Sequence, residues 1–156
     1  MKKIFLIIAL LPLLSVGQQK KEVLFVGNSY TFVNDLPNLI AQIALSFGDT
    51  LLHDSNTPGG ANFKGHSTDP QTMSKINLKP WDYVVLQAQS QEPSFSPWQV
   101  SQDTYPYAKI LVDLIEKNTV CTEPLFFMTW GRKYGDQQNC QFYPPICTYS
   151  GMQQRL

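Results

Sequence analysis

A chain of 156 residues with 43% hydrophobic content and 11 prolines has room for one domain with a true core, is too short for two, and is not disordered. Twelve basic residues balance twelve acidic ones, so there is no net charge. With no basic stripe either, nucleic acid is excluded as the expected partner. No grouping of cysteine and histidine has zinc spacing, so no metal site is expected.

Residues 1–17 read as a secretory signal peptide: Lys2-Lys3, an apolar core from Ile4 to Leu14, and Ser15-Val16-Gly17 at the cleavage positions. The apolar run is shorter than the ~20 residues a span needs, so no stable membrane anchor is expected. The expected destination is a bacterial periplasm or the exterior. Removing Lys2 and Lys3 leaves the body, residues 22–156, slightly acidic.

Four short apolar runs then alternate with helical patterns. Strands are expected at Glu22–Val26, Leu51–Ser55, Tyr83–Gln87 and Leu125–Thr129, mostly as the continuous apolar runs of a sheet covered on both faces. His53 and Asp54 place the second strand nearer an edge. Leu36, Leu39, Ile40, Ile43, Ala44 and Phe47 form one helical stripe, capped by Asn34 or Asp35 and stopped by Gly48. A short helix is expected over Pro70–Ile76. A longer one runs from about Thr104 to Lys117, with Ala108, Leu111, Val112 and Ile115 inward. This succession implies a three-layer α/β/α sandwich, a flavodoxin-like parallel sheet. Right-handed crossovers put the strand ends and their loops on one rim. Beyond Trp130 the chain reads as a polar loop, and Tyr149 to Leu156 as the start of a helix. A four-strand sheet leaves an open edge, so the chain is expected to be the front part of a longer protein.

Three segments on that rim carry chemistry. In Val26-Gly27-Asn28-Ser29-Tyr30-Thr31, a serine hydroxyl follows the first strand on a tight turn, where open parallel sheets build their sites. The bland alternative is an ordinary turn with a capping hydroxyl. In Asn56-Thr57-Pro58-Gly59-Gly60-Ala61-Asn62, paired glycines expose backbone N–H groups after the second strand. In Val84-Val85-Leu86-Gln87-Ala88-Gln89-Ser90-Gln91, glutamine amides follow the third. Together these segments resemble blocks I, II and III of the SGNH (GDSL-type) hydrolases over roughly residues 22–130. Gly-Asn-Ser replaces the commoner Gly-Asp-Ser, and Gln89 falls where the family has asparagine.

The resemblance implies ester hydrolysis through an acyl-enzyme on Ser29. Its oxyanion hole would be the Ser29 N–H, the Gly60 N–H (Gly59 as the alternative) and the Gln89 side chain (Gln87 or Gln91 as alternatives). It implies no cofactor and a small-molecule or glycan ester as substrate. The family's Asp-x-x-His is missing. His53 is expected to be structural and His66 to lie in a solvated loop, so the missing base is expected beyond Leu156 and little turnover from these residues alone. A non-catalytic carbohydrate- or small-ligand-binding module on the same rim is the rival reading.

Export permits disulfides. Cys140 and Cys147, seven apart in one loop, are the expected pair; closing so short a loop would contribute on the order of 2 kcal/mol. Three single pairings exist, and Cys121 is expected to be buried as a small apolar residue. Tyr30, Phe32, Phe95, Trp98 and Trp130 lie near the rim and are expected mainly to cap the core. Arg132 could meet an anionic group but reads as a surface or structural arginine.

Overall fold

The computed structural model describes residues 17–119 and 121–156; the signal peptide expected over 1–17 lies outside these, save for Gly17. The strands are β1 (Lys20–Val26), β2 (Thr50–Asn56), β3 (Tyr83–Leu86) and β4 (Glu123–Phe126). All pair in parallel in the order β2-β1-β3-β4. The helices are α1 (Ser29–Phe32), α2 (Leu36–Ser46), α3 (Phe63–His66), α4 (Pro70–Ile76), α5 (Pro97–Asp103), α6 (Tyr105–Asn118) and α7 (Tyr149–Gln153). This is the expected α/β architecture, a parallel sheet flanked by helices in flavodoxin-like order. β2 lies at an edge, as its polar residues indicated.

Register aligns the strand ends. Val26 stands opposite both Asn56 and Leu86, and Leu86 opposite Phe126. The residues that leave β1, β2 and β3 therefore emerge side by side on one rim. β4 begins two residues earlier than its apolar pattern suggests, because Glu123 and Pro124 pair with Tyr83 and Val84.

The core sits on the face covered by α3, α4 and α6. Leu24, Val26, Val84 and Leu86 from the sheet meet Phe63, Ile76, Trp81, Leu111 and Ile115, all buried. Ala108 and Val112 pack against them, so the α6 stripe reads as expected. The other face is less covered. Leu39 and Ile43 on α2, and Phe47 just past its end, remain exposed although they belong to the expected stripe. Only Leu36 and Ile40 of that helix line a groove of about 370 Å³ with Val23, Phe25, Val85 and Leu125.

Neither Asn34 nor Asp35 caps α2 through its side chain. Both instead take left-handed backbone, φ 60° and 52°, which asparagine and aspartate tolerate best among residues with a Cβ. Past Trp130 the chain is more ordered than a polar loop. Asp136, Ile146 and Met152 are fully buried, and Thr148 caps α7 by accepting from Gly151 N–H.

Candidate functional site

The site is built around the turn that follows β1. Asn28, 2% exposed, caps α1 through its side-chain oxygen, which accepts from Tyr30 N–H at 3.0 Å. Its Nδ2 donates to the Ala61 carbonyl at 2.8 Å, fixing the glycine bend after β2 beside the turn. Its backbone N–H donates to Gln87 Oε1 at 2.9 Å, fixing the exit of β3. One asparagine thus ties together all three segments singled out in the sequence.

Gln87 is fully buried, and its Oε1 also accepts from the Thr31 hydroxyl at 3.0 Å, while its amide donates to the Ala88 carbonyl. Its hydrogen-bonding capacity goes into holding the turn, so it does not serve as an oxyanion donor. Gly27 permits this approach: a Cβ there would lie 2.7 Å from Gln87 Oε1 and 2.7 Å from Thr31 Oγ1.

Ser29 opens α1 and is half-buried. Among the described residues neither its hydroxyl nor its N–H has a protein partner. Gly60 turns the chain with φ +73° and is exposed, its N–H likewise unclaimed among the described residues. Gln89 is half-buried; its Oε1 accepts from the N–H groups of Gln91 and Glu92 at 2.9 and 3.3 Å. That pins the side chain and leaves its NH₂ without a protein acceptor among the described residues. Gln91 Oε1 instead receives Arg132 Nη2. Gln89 and Gln91 thus each keep an NH₂ without a protein acceptor among the described residues, whereas the Gln87 amide is buried and engaged.

Neither histidine is placed as a base for Ser29. His53 lies on β2, exposed, its ring edge-on to Phe25 at 6.4 Å. His66 is not in a solvated loop: α3 carries it inward, 1% exposed. Its Nε2 lies 2.8 Å from the Gly27 carbonyl, which can only accept, so that nitrogen carries the proton. Nδ1 lies 2.8 Å from Thr72 Oγ1, whose single proton faces both that nitrogen and Asp69 Oδ2 at 2.9 Å. Thr72 Oγ1 and Asp69 Oδ2 both take the Asn56 amide, at 2.8 and 2.6 Å. This polar cluster holds the carbonyl of Gly27, two residues before Ser29. The pattern Lys64-Gly65-His66 looked polar because the turn of α3 that buries its third residue is not visible in composition.

Burial pushes the His66 pKa down, against the pull of the Gly27 hydrogen bond and the Asp69 charge. A depressed histidine contributes stability that is complete above its unfolded value, ~6.5, and lost as the pH falls from there toward the folded value. Denaturant midpoints of the wild type should therefore drop between pH 7 and 5. In His66→Gln that part of the slope should vanish; an unchanged slope would remove His66 as its source.

The rim carries exposed aromatics, contrary to the expectation that they cap the core. Trp98 is 74% and Trp130 51% exposed, and Phe32 is also exposed. Trp130 stacks on Tyr30 with ring centroids 4.7 Å apart and planes 11° off parallel, which brings the chain leaving β4 onto the serine turn. Arg132 is structural: besides Gln91 it pairs with the buried carboxylate of Asp136 at 3.4 Å.

The sequence reading passed over Glu92. Its Oε1 accepts from Asn62 Nδ2 at 2.8 Å, bridging the loops after β2 and β3. Its Oε2 is buried without a partner among the described residues, and burial raises its pKa. The only trace in the sequence is an acidic residue directly after a strand exit.

The expected Cys140–Cys147 bridge is not formed. All three cysteines are free thiols, Cys147 Sγ turning to the Cys140 carbonyl at 3.5 Å. The hydrogen bond with the neighbouring Cys140 raises the Cys147 pKa. Cys121 is exposed rather than buried, since it lies in the link between α6 and β4. Among the described residues no three His, Cys, Asp or Glu side chains are grouped to hold a metal, and no helix is long and apolar enough to cross a membrane.

No family model and no curated protein matches the sequence. Among solved structures, the chain is similar to a DUF4886 family protein from Bacteroides uniformis, with a TM-score of 0.67 at 15% identity. The match covers 85% of this chain and 58% of the other, so the chain spans little more than half the length of that protein. At this identity the likeness speaks for the fold alone.

Proposed function

We propose that the rim is the nucleophile and oxyanion portion of a serine ester hydrolase of SGNH type, acting outside the cytoplasm on a small-molecule or glycan ester. The observation that carries this reading is the triple attachment of Asn28. It gathers the serine turn, the glycine bend and the β3 exit while leaving the Ser29 hydroxyl free.

In this reading Ser29 Oγ attacks the ester carbonyl carbon, and the carbonyl electron pair moves onto oxygen. The Ser29 N–H, the Gly60 N–H and Gln89 Nε2 meet that charge, the role such donors play in acyl transfer. Collapse expels the alcohol and leaves the acyl group on Ser29 until water releases it. The hydroxyl proton needs an acceptor. With His66 and His53 engaged elsewhere, the reading assigns that task to an Asp-x-x-His pair outside the 156 residues. It requires neither metal nor organic cofactor, and no nucleic acid partner.

A fluorophosphonate probe tests the nucleophile directly, because labelling needs an activated serine but not a whole substrate. In a longer chain that supplies an Asp-x-x-His, the expected result is a single adduct on the peptide containing Ser29, lost in Ser29→Ala and retained in Ser90→Ala. An adduct that survives Ser29→Ala would rule Ser29 out. The absence of a histidine at Ser29 favours a second reading, a ligand-binding module on the same rim. That reading predicts saturable binding of ester or sugar with no adduct, even in a longer chain that supplies an Asp-x-x-His.

A further inference from the structure

The entry to α5 and the loop over residues 139–146 face each other across a cavity of about 280 Å³. Phe95, Ser96 and Gln99 line one side, and Asn139, Phe142 and Tyr143 the other. The volume lies just below the ~300–1,000 Å³ of sites that hold drug-sized molecules, so it suits a single small ring.

Both sides are held from behind. Asn139 Nδ2 donates at 2.7 Å to the carboxylate of Asp136, which is fully buried and also pairs with Arg132. Arg155 links the two sides: its Nη2 donates to the Phe95 carbonyl at 3.0 Å, and its guanidinium lies 5.6 Å from the centre of the Tyr143 ring. Walls braced in this way are arranged before any ligand arrives, which lowers the cost of binding one.

The groups left over define the ligand. With Nδ2 engaged, Asn139 keeps Oδ1 as an unclaimed acceptor among the described residues. Ser96 Oγ accepts from Gln99 N–H at 3.3 Å and keeps its own proton to donate. The Gln99 amide and the Tyr143 hydroxyl have no protein partner among the described residues, and each both donates and accepts. Phe142 adds a ring that is 79% exposed. No lining residue carries a charge. An ion would find no counter-charge in this lining. A flat aromatic or aliphatic ligand would cover Phe142 and strand the amides and hydroxyls. A neutral pyranose satisfies both sets: its C–H face stacks on an aromatic ring, and each of its hydroxyls donates and accepts.

We propose that this cavity binds one neutral sugar ring, stacked on Phe142 and hydrogen-bonded by Gln99, Asn139 and Tyr143. Hydrogen bonds join it to the rim, since Asn139 is held by Asp136, Asp136 by Arg132, and Arg132 by Gln91. Taken with the reading of Ser29, the cavity favours a glycan ester over a small-molecule ester. The binding claim does not depend on that catalysis.

The test titrates the whole protein, and its Ser29→Ala form, with the methyl glycosides of glucose, galactose, mannose, xylose and N-acetylglucosamine. It follows the ring resonances of Phe142 and Tyr143 and the side-chain amide of Gln99. At least one glycoside should give saturable shifts at all three, with a Kd of about 1–10 mM that is the same in Ser29→Ala. Phe142→Ala and Gln99→Leu should each weaken it about tenfold, with circular dichroism confirming the folds. Trp98→Ala removes an exposed ring outside the lining and should change nothing; a loss equal to that of Phe142→Ala would move the site off the cavity. No saturable shift with any of the five would overturn the proposal. So would unchanged affinity in both Phe142→Ala and Gln99→Leu, or benzyl alcohol binding as tightly as the best glycoside. If a glycoside binds but no fluorophosphonate adduct forms even on a longer chain, the cavity stands and the hydrolase reading falls. An adduct on Ser29 without glycoside binding does the reverse.

Discussion

Replacing Gln87 with alanine should cost about 3–5 kcal/mol of folding stability, a large fraction of the total for a domain of this size. The residue has no solvent exposure, and its carbonyl oxygen is the acceptor for both Asn28 N–H and the Thr31 hydroxyl. Truncation strands those two donors and leaves a cavity where the side chain was, and each stranded group costs about 1–3 kcal/mol. Gln87→Glu keeps an acceptor oxygen in place but buries a charge without a cation beside it, so it should destabilise too. Urea midpoints at fixed slope measure this. A loss below about 1 kcal/mol would mean the turn is held by something other than Gln87. The same variant should free the Ser29 turn, so amide exchange at Tyr30 and Thr31 should rise more than exchange in β1.

Gly27→Ala is expected to be nearly as severe, about 3 kcal/mol, for a steric reason rather than a conformational one. A methyl group at that position meets Gln87 Oε1 and Thr31 Oγ1 at 2.7 Å and Gln87 Cβ at 3.0 Å. Those atoms are held by hydrogen bonds to each other and to Asn28, so they cannot withdraw without breaking them. The backbone cannot shift freely either, because the Gly27 N–H donates to the Asn56 carbonyl and the Gly27 carbonyl accepts from His66. The two substitutions should be strongly non-additive. In Gly27→Ala/Gln87→Ala the Oε1 contact, one of the three close ones, disappears and Thr31 is released from its acceptor, and the cycle should give a coupling of about 1–3 kcal/mol. Simple additivity would show that the glycine is not there to admit the glutamine.

These variants test the scaffold of the rim, whereas fluorophosphonate labelling tests its chemistry. A destabilised turn with an intact adduct, or an intact fold without one, would place the fault on one level and spare the other.

The strands and the longer helices could be read from the chain because local pattern governs them. Continuous apolar runs of four residues, Val23–Val26 and Tyr83–Leu86, gave β1 and β3, and the Leu111–Ile115 spacing gave α6 its buried face. His53 and Asp54 marked β2 as an edge. That the segments carrying Ser29, Gly60 and Gln89 leave the sheet side by side followed from the same logic, since each trails a strand and parallel strands end together. Their polar surroundings were less legible. Gln87, Gln89 and Gln91 are chemically alike, and only their partners separate a buried brace, an available donor and an acceptor for arginine. α2 misled for a related reason: an apolar stripe reports what a helix can bury, not how much neighbouring surface exists to cover it.

From the order of residues alone came the layered parallel architecture and the rim on which three loops converge, because period and chain direction are local properties that right-handed crossovers convert into topology. Folding in three dimensions decided the roles on that rim. It turned His66 inward to hold Gly27 and set Arg132 against Asp136. A side chain's partner is set by the direction in which it points once distant segments pack, and neighbours in sequence carry little of that information.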